Sequence, residues 1–115
     1  MTVTILHNPA CSKSRATLEL IRKAGIEPQI LRYLETPPDR ARLTALLAAM
    51  GLAPRDLLRK GEAAYRTLGL ADPGLSDAQL IDAMLSEPRL IERPIVETPK
   101  GVRLCRPPER VCEIL

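Results

Sequence analysis

The chain of 115 residues contains no tryptophan, no phenylalanine and only two tyrosines. Its hydrophobic core must therefore be built from aliphatic side chains. No apolar run approaches the roughly 20 residues that a membrane-spanning helix needs, and the N-terminus lacks the basic region and long apolar stretch of a signal peptide. We expect a cytoplasmic protein of one domain, residues 1–115, that has no membrane partner.

Histidine and cysteine are also scarce. One histidine and three scattered cysteines lack the spacing of metal ligands, so no metal site is expected. An odd number of cysteines argues against a disulfide framework and favours reduced thiols. The formal net charge of +3 is too small to indicate binding to nucleic acid. It is compatible with a small anionic ligand if the arginines converge.

The hydrophobic pattern predicts short strands and helices in a definite order. They are a strand (2–7), a helix (12–24), a strand (29–33), a helical middle (37–86), a hairpin (95–105) and a final helix ending near Ile114. A strand–helix–strand unit of this length favours a parallel pair of strands. The order predicts an α/β, thioredoxin-like fold with a small mixed sheet and a helical insertion in its middle.

Cys11 is the most informative residue, because it lies where the first strand passes into the first helix. Unpaired backbone N–H groups and a partial positive charge at a helix start stabilise an anion. Such a position lowers the pKa of a thiol, and the same N–H groups can hold an oxyanion. We therefore expect a catalytic Cys11 thiolate, although a lone cysteine is often only a small buried hydrophobe.

Two neighbours of Cys11 are further catalytic candidates. Ser14 stands where a C-x-x-C redox protein has its second cysteine, so an external thiol must complete any redox cycle. Its hydroxyl either bonds the Cys11 thiolate or is simply that of a serine in the first helical turn. His7 either supports the thiolate, as a protonated partner or through a hydrogen bond in the loop, or is merely a packed side chain.

Arg59, Arg93 and Arg106 are the candidates for anion binding. Each one alone is more typical of a surface or salt-bridge residue. A guanidinium group suits a tetrahedral oxyanion because it binds two oxygens at once and stays charged. Of the remaining cysteines, Cys112 is predicted to lie in the core. Cys105 is predicted to be structural, with a redox role left open by its position beside Arg106.

These residues lie in segments that resemble the glutaredoxin-coupled arsenate reductases. The matching segments, in family order, are His7-Asn8-Pro9-Ala10-Cys11 with Ser14-Arg15, Leu57-Leu58-Arg59-Lys60, Leu80-Ile81-Asp82, Arg93-Pro94-Ile95-Val96 and Leu104-Cys105-Arg106-Pro107. The resemblance implies a thioredoxin-like fold, a cis peptide bond before Pro94 and a catalytic Cys11 whose thiolate His7 favours. It also implies that the arsenic oxyanion is bound by Arg59, Arg93 and Arg106.

The resemblance further implies a role in arsenic detoxification. Arsenate would be reduced to arsenite through a Cys11 adduct, with glutathione as co-substrate, glutaredoxin as protein partner and no bound cofactor. Two alternatives remain. Spx-type transcription regulators share the fold and the N-terminal loop and bind RNA polymerase, but the missing C-x-x-C and the three arginines argue against them. A reductase-like paralogue with another substrate would share the Cys11 loop, but Leu104-Cys105-Arg106 favours the arsenate branch.

Overall fold

A four-stranded mixed sheet organises the computed structural model, which describes residues 2–115. The strands are β1 (Thr4–Leu6), β2 (Gln29–Leu31), β3 (Ile95–Thr98) and β4 (Gly101–Leu104). Their spatial order is β2-β1-β3-β4. Strand β1 is parallel to β2 and antiparallel to β3, which pairs antiparallel with β4. The predicted α/β fold with its parallel pair and C-terminal hairpin is confirmed.

Four α-helices accompany the sheet in residues 2–115, and the first begins at residue 12, as the sequence predicts. They are α1 (Ser12–Lys23), α2 (Arg40–Met50), α3 (Ala63–Thr67) and α4 (Asp77–Ser86). The Asp39 carboxylate accepts the Arg42 N–H at the start of α2. Ser76 and Gln79 form a capping box at the start of α4, which satisfies two backbone donors there.

The chain divides into two compact units, and each buries aliphatic side chains as predicted. The first unit combines the chain up to Thr36 with Arg93–Leu115, and the second is Pro37–Glu92. The core of the first unit joins β1, α1, β3 and the C-terminal segment through Val3, Ile5, Leu18, Ile21, Val96, Cys105, Val111 and Ile114. In the second unit, buried leucines of α2 and α4 include Leu43, Leu46, Leu47 and Leu80. The expectation of a single domain stays a prediction.

The C-terminal segment differs from its prediction. Pro108–Glu113 is a 3₁₀-helix rather than an α-helix. Its three residues per turn direct Val111 and Ile114 to the same side, where both are buried, and leave Cys112 exposed. The prediction that Cys112 lies in the core is therefore wrong.

Two X-Pro peptide bonds are cis in the described residues. The Arg93–Pro94 bond is cis, as the resemblance implies, and the Arg106–Pro107 bond is also cis, which the sequence did not predict. Both bonds lie at the ends of the β3–β4 hairpin. Among the helices of residues 2–115, none is long and apolar enough to cross a membrane.

Candidate active site

A tight turn carries Cys11 from the end of β1 to the start of α1. The Asn8 carbonyl accepts the Cys11 N–H at 3.0 Å, and the Asn8 side-chain oxygen accepts the Ala10 N–H at 3.0 Å. Cys11 has an extended backbone and is the N-cap residue of α1, while its carbonyl accepts the Arg15 N–H. The thiol is thus placed where a helix leaves its first N–H groups without intrahelical partners.

The surroundings of Cys11 favour its thiolate. Burial acts to raise the pKa of the Cys11 thiol, but four other effects outweigh it. The Ser14 backbone N–H, the charge of Arg93, the Lys13 backbone N–H and a hydrogen bond from the Arg93 side chain all lower the pKa. The net result is a Cys11 pKa below its usual value. The thiol is 8% exposed, so the anion is desolvated but still supplied with donors.

The lowered pKa gives a measurable pH dependence. Because only the thiolate reacts with iodoacetamide, the alkylation rate of Cys11 should reach half its maximum at a lower pH than that of N-acetylcysteinamide. Peptide mass spectrometry after timed alkylation separates Cys11 from the exposed Cys112. A midpoint at or above that of the free thiol would contradict the described site.

His7 and Ser14 hold the loop that carries Cys11. Nδ1 of His7 and Oγ of Ser14 are hydrogen-bonded at 2.6 Å, and Ser14 Oγ accepts the Asn8 N–H at 3.1 Å. Both side chains are buried. The Ser14 hydroxyl is therefore engaged by the loop, whereas its backbone N–H serves the thiol. The hydrogen bond between His7 and Ser14 agrees with one of the alternatives given above for His7, a hydrogen bond within the loop.

A protonated His7 is disfavoured by its surroundings. Burial lowers the pKa of His7, and the positive charges of Arg32, Arg22 and Arg15 lower it further. The imidazole is consequently neutral at neutral pH. Of the two functional alternatives for His7, positioning the loop agrees with the structure better than direct charge stabilisation of the thiolate.

The register of the hairpin brings Arg93 and Arg106 together. Ile95 pairs with Leu104, and the Cys105 N–H donates to the Pro94 carbonyl at 2.9 Å. Immediately beyond this point, Nη1 of Arg106 donates to the Arg93 carbonyl at 3.1 Å. Two of the three predicted anion ligands thus meet, and one of them, Arg93, reaches Cys11.

Arg59 belongs to the second unit. Its backbone N–H donates to the Leu90 carbonyl at 2.8 Å, and its guanidinium group forms ion pairs with Glu62 at 3.4 Å and Glu92 at 3.8 Å. Neither carboxylate is predicted from the sequence, although Glu62 lies only three residues away. Convergence of Arg59 on Cys11 stays a prediction.

Cys105 differs chemically from Cys11. It is fully buried, and burial raises the pKa of its thiol to about 12. A thiol in this state stays protonated at neutral pH and is a poor nucleophile. Within residues 2–115, no cluster of three or more histidine, cysteine or acidic side chains could hold a metal ion.

Together these residues make a site suited to attack on an oxyanion. A thiolate stabilised in this way can act as a nucleophile, and a guanidinium group and helix N–H groups lie beside it. Such donors bind the oxygens of a tetrahedral anion and stabilise the charge that develops on them.

Comparisons with known proteins point to one family. The sequence profile of the ArsC family matches residues 6–114. An arsenate reductase of Escherichia coli (strain K12) is 58% identical over 113 residues, which cover 98% of this chain and 80% of that protein. An arsenate reductase of Rhizobium meliloti (strain 1021) is 56% identical over 115 residues, or 100% and 82% of the two chains. The solved structure of an arsenate reductase from Vibrio cholerae superimposes with a TM-score of 0.96, at 49% identity, covering 100% and 98%.

Proposed function

Because the chain belongs to the ArsC family, we propose that it reduces arsenate to arsenite with Cys11 as the nucleophile. The observation that carries this proposal is the Cys11 thiol at the start of α1, bonded by the Arg93 guanidinium and by helix N–H groups. The substrate is inferred from the names of the relatives, and the reaction chemistry is inferred from the residues of the site. The protein is accordingly proposed to act as an oxidoreductase in arsenic detoxification.

In the first step the Cys11 thiolate attacks arsenic. A sulfur–arsenic bond forms, and one arsenate oxygen leaves as water with the proton that the thiol released. Arg93 and the N–H groups of Lys13 and Ser14 stabilise the charge on the remaining oxygens. We propose Arg106 and Arg59 as further ligands of the oxyanion, in keeping with the bidentate geometry of guanidinium groups.

In the second step an external thiol, proposed to be glutathione, attacks the Cys11 sulfur. The sulfur–arsenic bond breaks, and its electron pair stays with arsenic, which passes from As(V) to As(III). The two sulfurs are oxidised together to a mixed disulfide, and arsenous acid takes up the proton of the glutathione thiol. Ser14 offers no second thiol next to Cys11, and the buried Cys105 stays protonated, which supports a reductant from outside the chain.

A glutaredoxin thiol then attacks the glutathione sulfur of the mixed disulfide and releases the Cys11 thiolate. Electrons pass only between thiols, arsenic and disulfides, so the proposal requires no bound cofactor.

The proposal predicts arsenite formation that depends on both thiol donors. Purified protein with arsenate, glutathione and glutaredoxin should form arsenite over many turnovers, measured by chromatography with arsenic-specific detection. Without glutaredoxin, the protein should stop after about one turnover with glutathione attached to Cys11, which mass spectrometry would show. The absence of arsenite with every thiol tested would refute the proposed function, and specific binding to an RNA polymerase subunit would then favour a regulator.

A further inference from the structure

We propose that a cavity beside the Cys11 loop binds the peptide thiol that attacks the arsenic adduct, and that it selects a thiol bearing two carboxylates and one ammonium group. This inference rests on the proposed function and assigns a binding site to the second thiol. The cavity has a volume of about 330 Å³ and lies between the loop after β1 and one face of α1. Its lining residues are His7, Pro9, Arg15, Leu18, Glu19 and Arg22.

The cavity continues the helix face on which Cys11 lies. Arg15, Leu18 and Arg22 follow Cys11 by four, seven and eleven residues, a spacing that keeps side chains on one face of an α-helix. Four residues rise by about 6 Å along a helix. The cavity therefore begins at the loop that carries Cys11 and extends along α1.

The wall opposite α1 is formed by the Cys11 loop itself. Nη1 of Arg15 donates to the Pro9 carbonyl at 2.8 Å, which holds this guanidinium against the loop. Leu18 and His7 are buried, so they form the floor rather than the rim. The resulting volume lies at the lower end of the range of small-molecule sites, which suits a tripeptide.

The charged side chains that line the cavity are complementary in sign to the charged groups of glutathione. Arg15 and Arg22 supply two positive charges and Glu19 supplies one negative charge, and all three residues are exposed. Glutathione carries two carboxylates and one ammonium group, so each charged group has a counterpart. Arg22 is paired with Glu27 at 2.9 Å and Glu19 with Lys23 at 3.6 Å, but all four side chains are exposed, and charged groups of the ligand can replace Glu27 and Lys23 with little loss.

The decisive variant is Arg22→Glu. With arsenate and glutaredoxin saturating, the KM for glutathione should rise about tenfold, because a carboxylate of the ligand loses a charged donor and meets a like charge. The kcat should change little, since Arg22 is remote from the reacting sulfur. With 2-mercaptoethanol in place of glutathione, wild type and Arg22→Glu should reduce arsenate at equal rates, which also shows that the variant is folded.

Arg66→Glu is the matched control. It makes the same change of charge on α3, where the side chain is exposed and lies outside this cavity. Its KM for glutathione should stay within twofold of the wild-type value. An equal rise in both variants would mean a general electrostatic effect and would overturn the proposed binding site.

Direct binding provides a readout that does not depend on catalysis. Titration with S-methylglutathione, which has no free thiol, should shift the backbone amide resonances of Arg15, Leu18 and Glu19, and Arg22→Glu should weaken this binding. If arsenite forms normally but these resonances do not shift and the KM is unchanged in Arg22→Glu, the cavity proposal fails while the proposed function stands. If no thiol supports arsenite formation but S-methylglutathione still binds here, the proposed function fails instead.

Discussion

Replacement of Cys11 by serine is expected to abolish arsenite formation, with a fall in kcat/KM of at least about 10³-fold. A serine hydroxyl fits the space of the thiol but stays protonated at neutral pH, even beside Arg93 and the helix N–H groups that stabilise the thiolate. It also provides no sulfur for the mixed disulfide. The measurement is arsenite formation with saturating glutathione and glutaredoxin, together with mass spectrometry for attached glutathione.

Cys112→Ser is the matched control for Cys11→Ser. Cys112 is the exposed cysteine of the described chain and lies on the outer side of the C-terminal 3₁₀-helix. Its replacement should leave kcat/KM within twofold of wild type. Thermal unfolding followed by circular dichroism should show that both variants are folded. Residual activity of Cys11→Ser above a few per cent would refute the assignment of Cys11 as nucleophile.

Replacement of Arg93 by alanine is expected to lower kcat/KM for arsenate by about 10²–10³-fold. The same change should raise the pKa of Cys11, because the charge of Arg93 and its side-chain hydrogen bond both favour the thiolate. The alkylation midpoint of Cys11 should therefore move to higher pH. One variant thus tests two roles of the same guanidinium group, one on the nucleophile and one on the oxyanion.

Arg103→Ala is the control for Arg93→Ala. Arg103 lies on β4 of the same hairpin, and its guanidinium group forms an exposed ion pair with Glu113 at 3.0 Å. Its removal should change neither the kcat/KM for arsenate nor the Cys11 midpoint by more than about twofold. If Arg93→Ala loses activity while the Cys11 midpoint stays in place, the role of Arg93 in ionising the thiol is wrong.

Local sequence signals predict much of this fold. Apolar periodicity predicts the order of strands and helices, and in the structure the side chains of Asp39 and Ser76 cap the starts of α2 and α4. The place of Cys11 at the start of α1 follows from the same reasoning, because a short aliphatic strand and an amphipathic helix flank it. These features depend on residues close together in the chain, so a pattern in the sequence can reveal them.

Other features depend on residues that are distant in the sequence. The contact between Arg93 and Arg106 follows from the register of the β3–β4 hairpin. The protonation state of His7 depends on burial and on the charge of Arg32, which lies just beyond β2. The exposure of Cys112 depends on a 3₁₀ rather than an α-helical turn, a difference of 0.6 residues per turn that a short segment does not reveal.

Part of the lowering of the Cys11 pKa comes from main-chain N–H groups and not from side chains. The N–H groups of Ser14 and Lys13 are retained by every amino acid except proline. Any substitution at position 13 other than proline therefore leaves this contribution to the Cys11 pKa in place, because the sulfur accepts a hydrogen bond from the backbone N–H and not from the Lys13 side chain. The same does not hold at position 14, because the Ser14 hydroxyl also binds His7 and the Asn8 N–H within the loop.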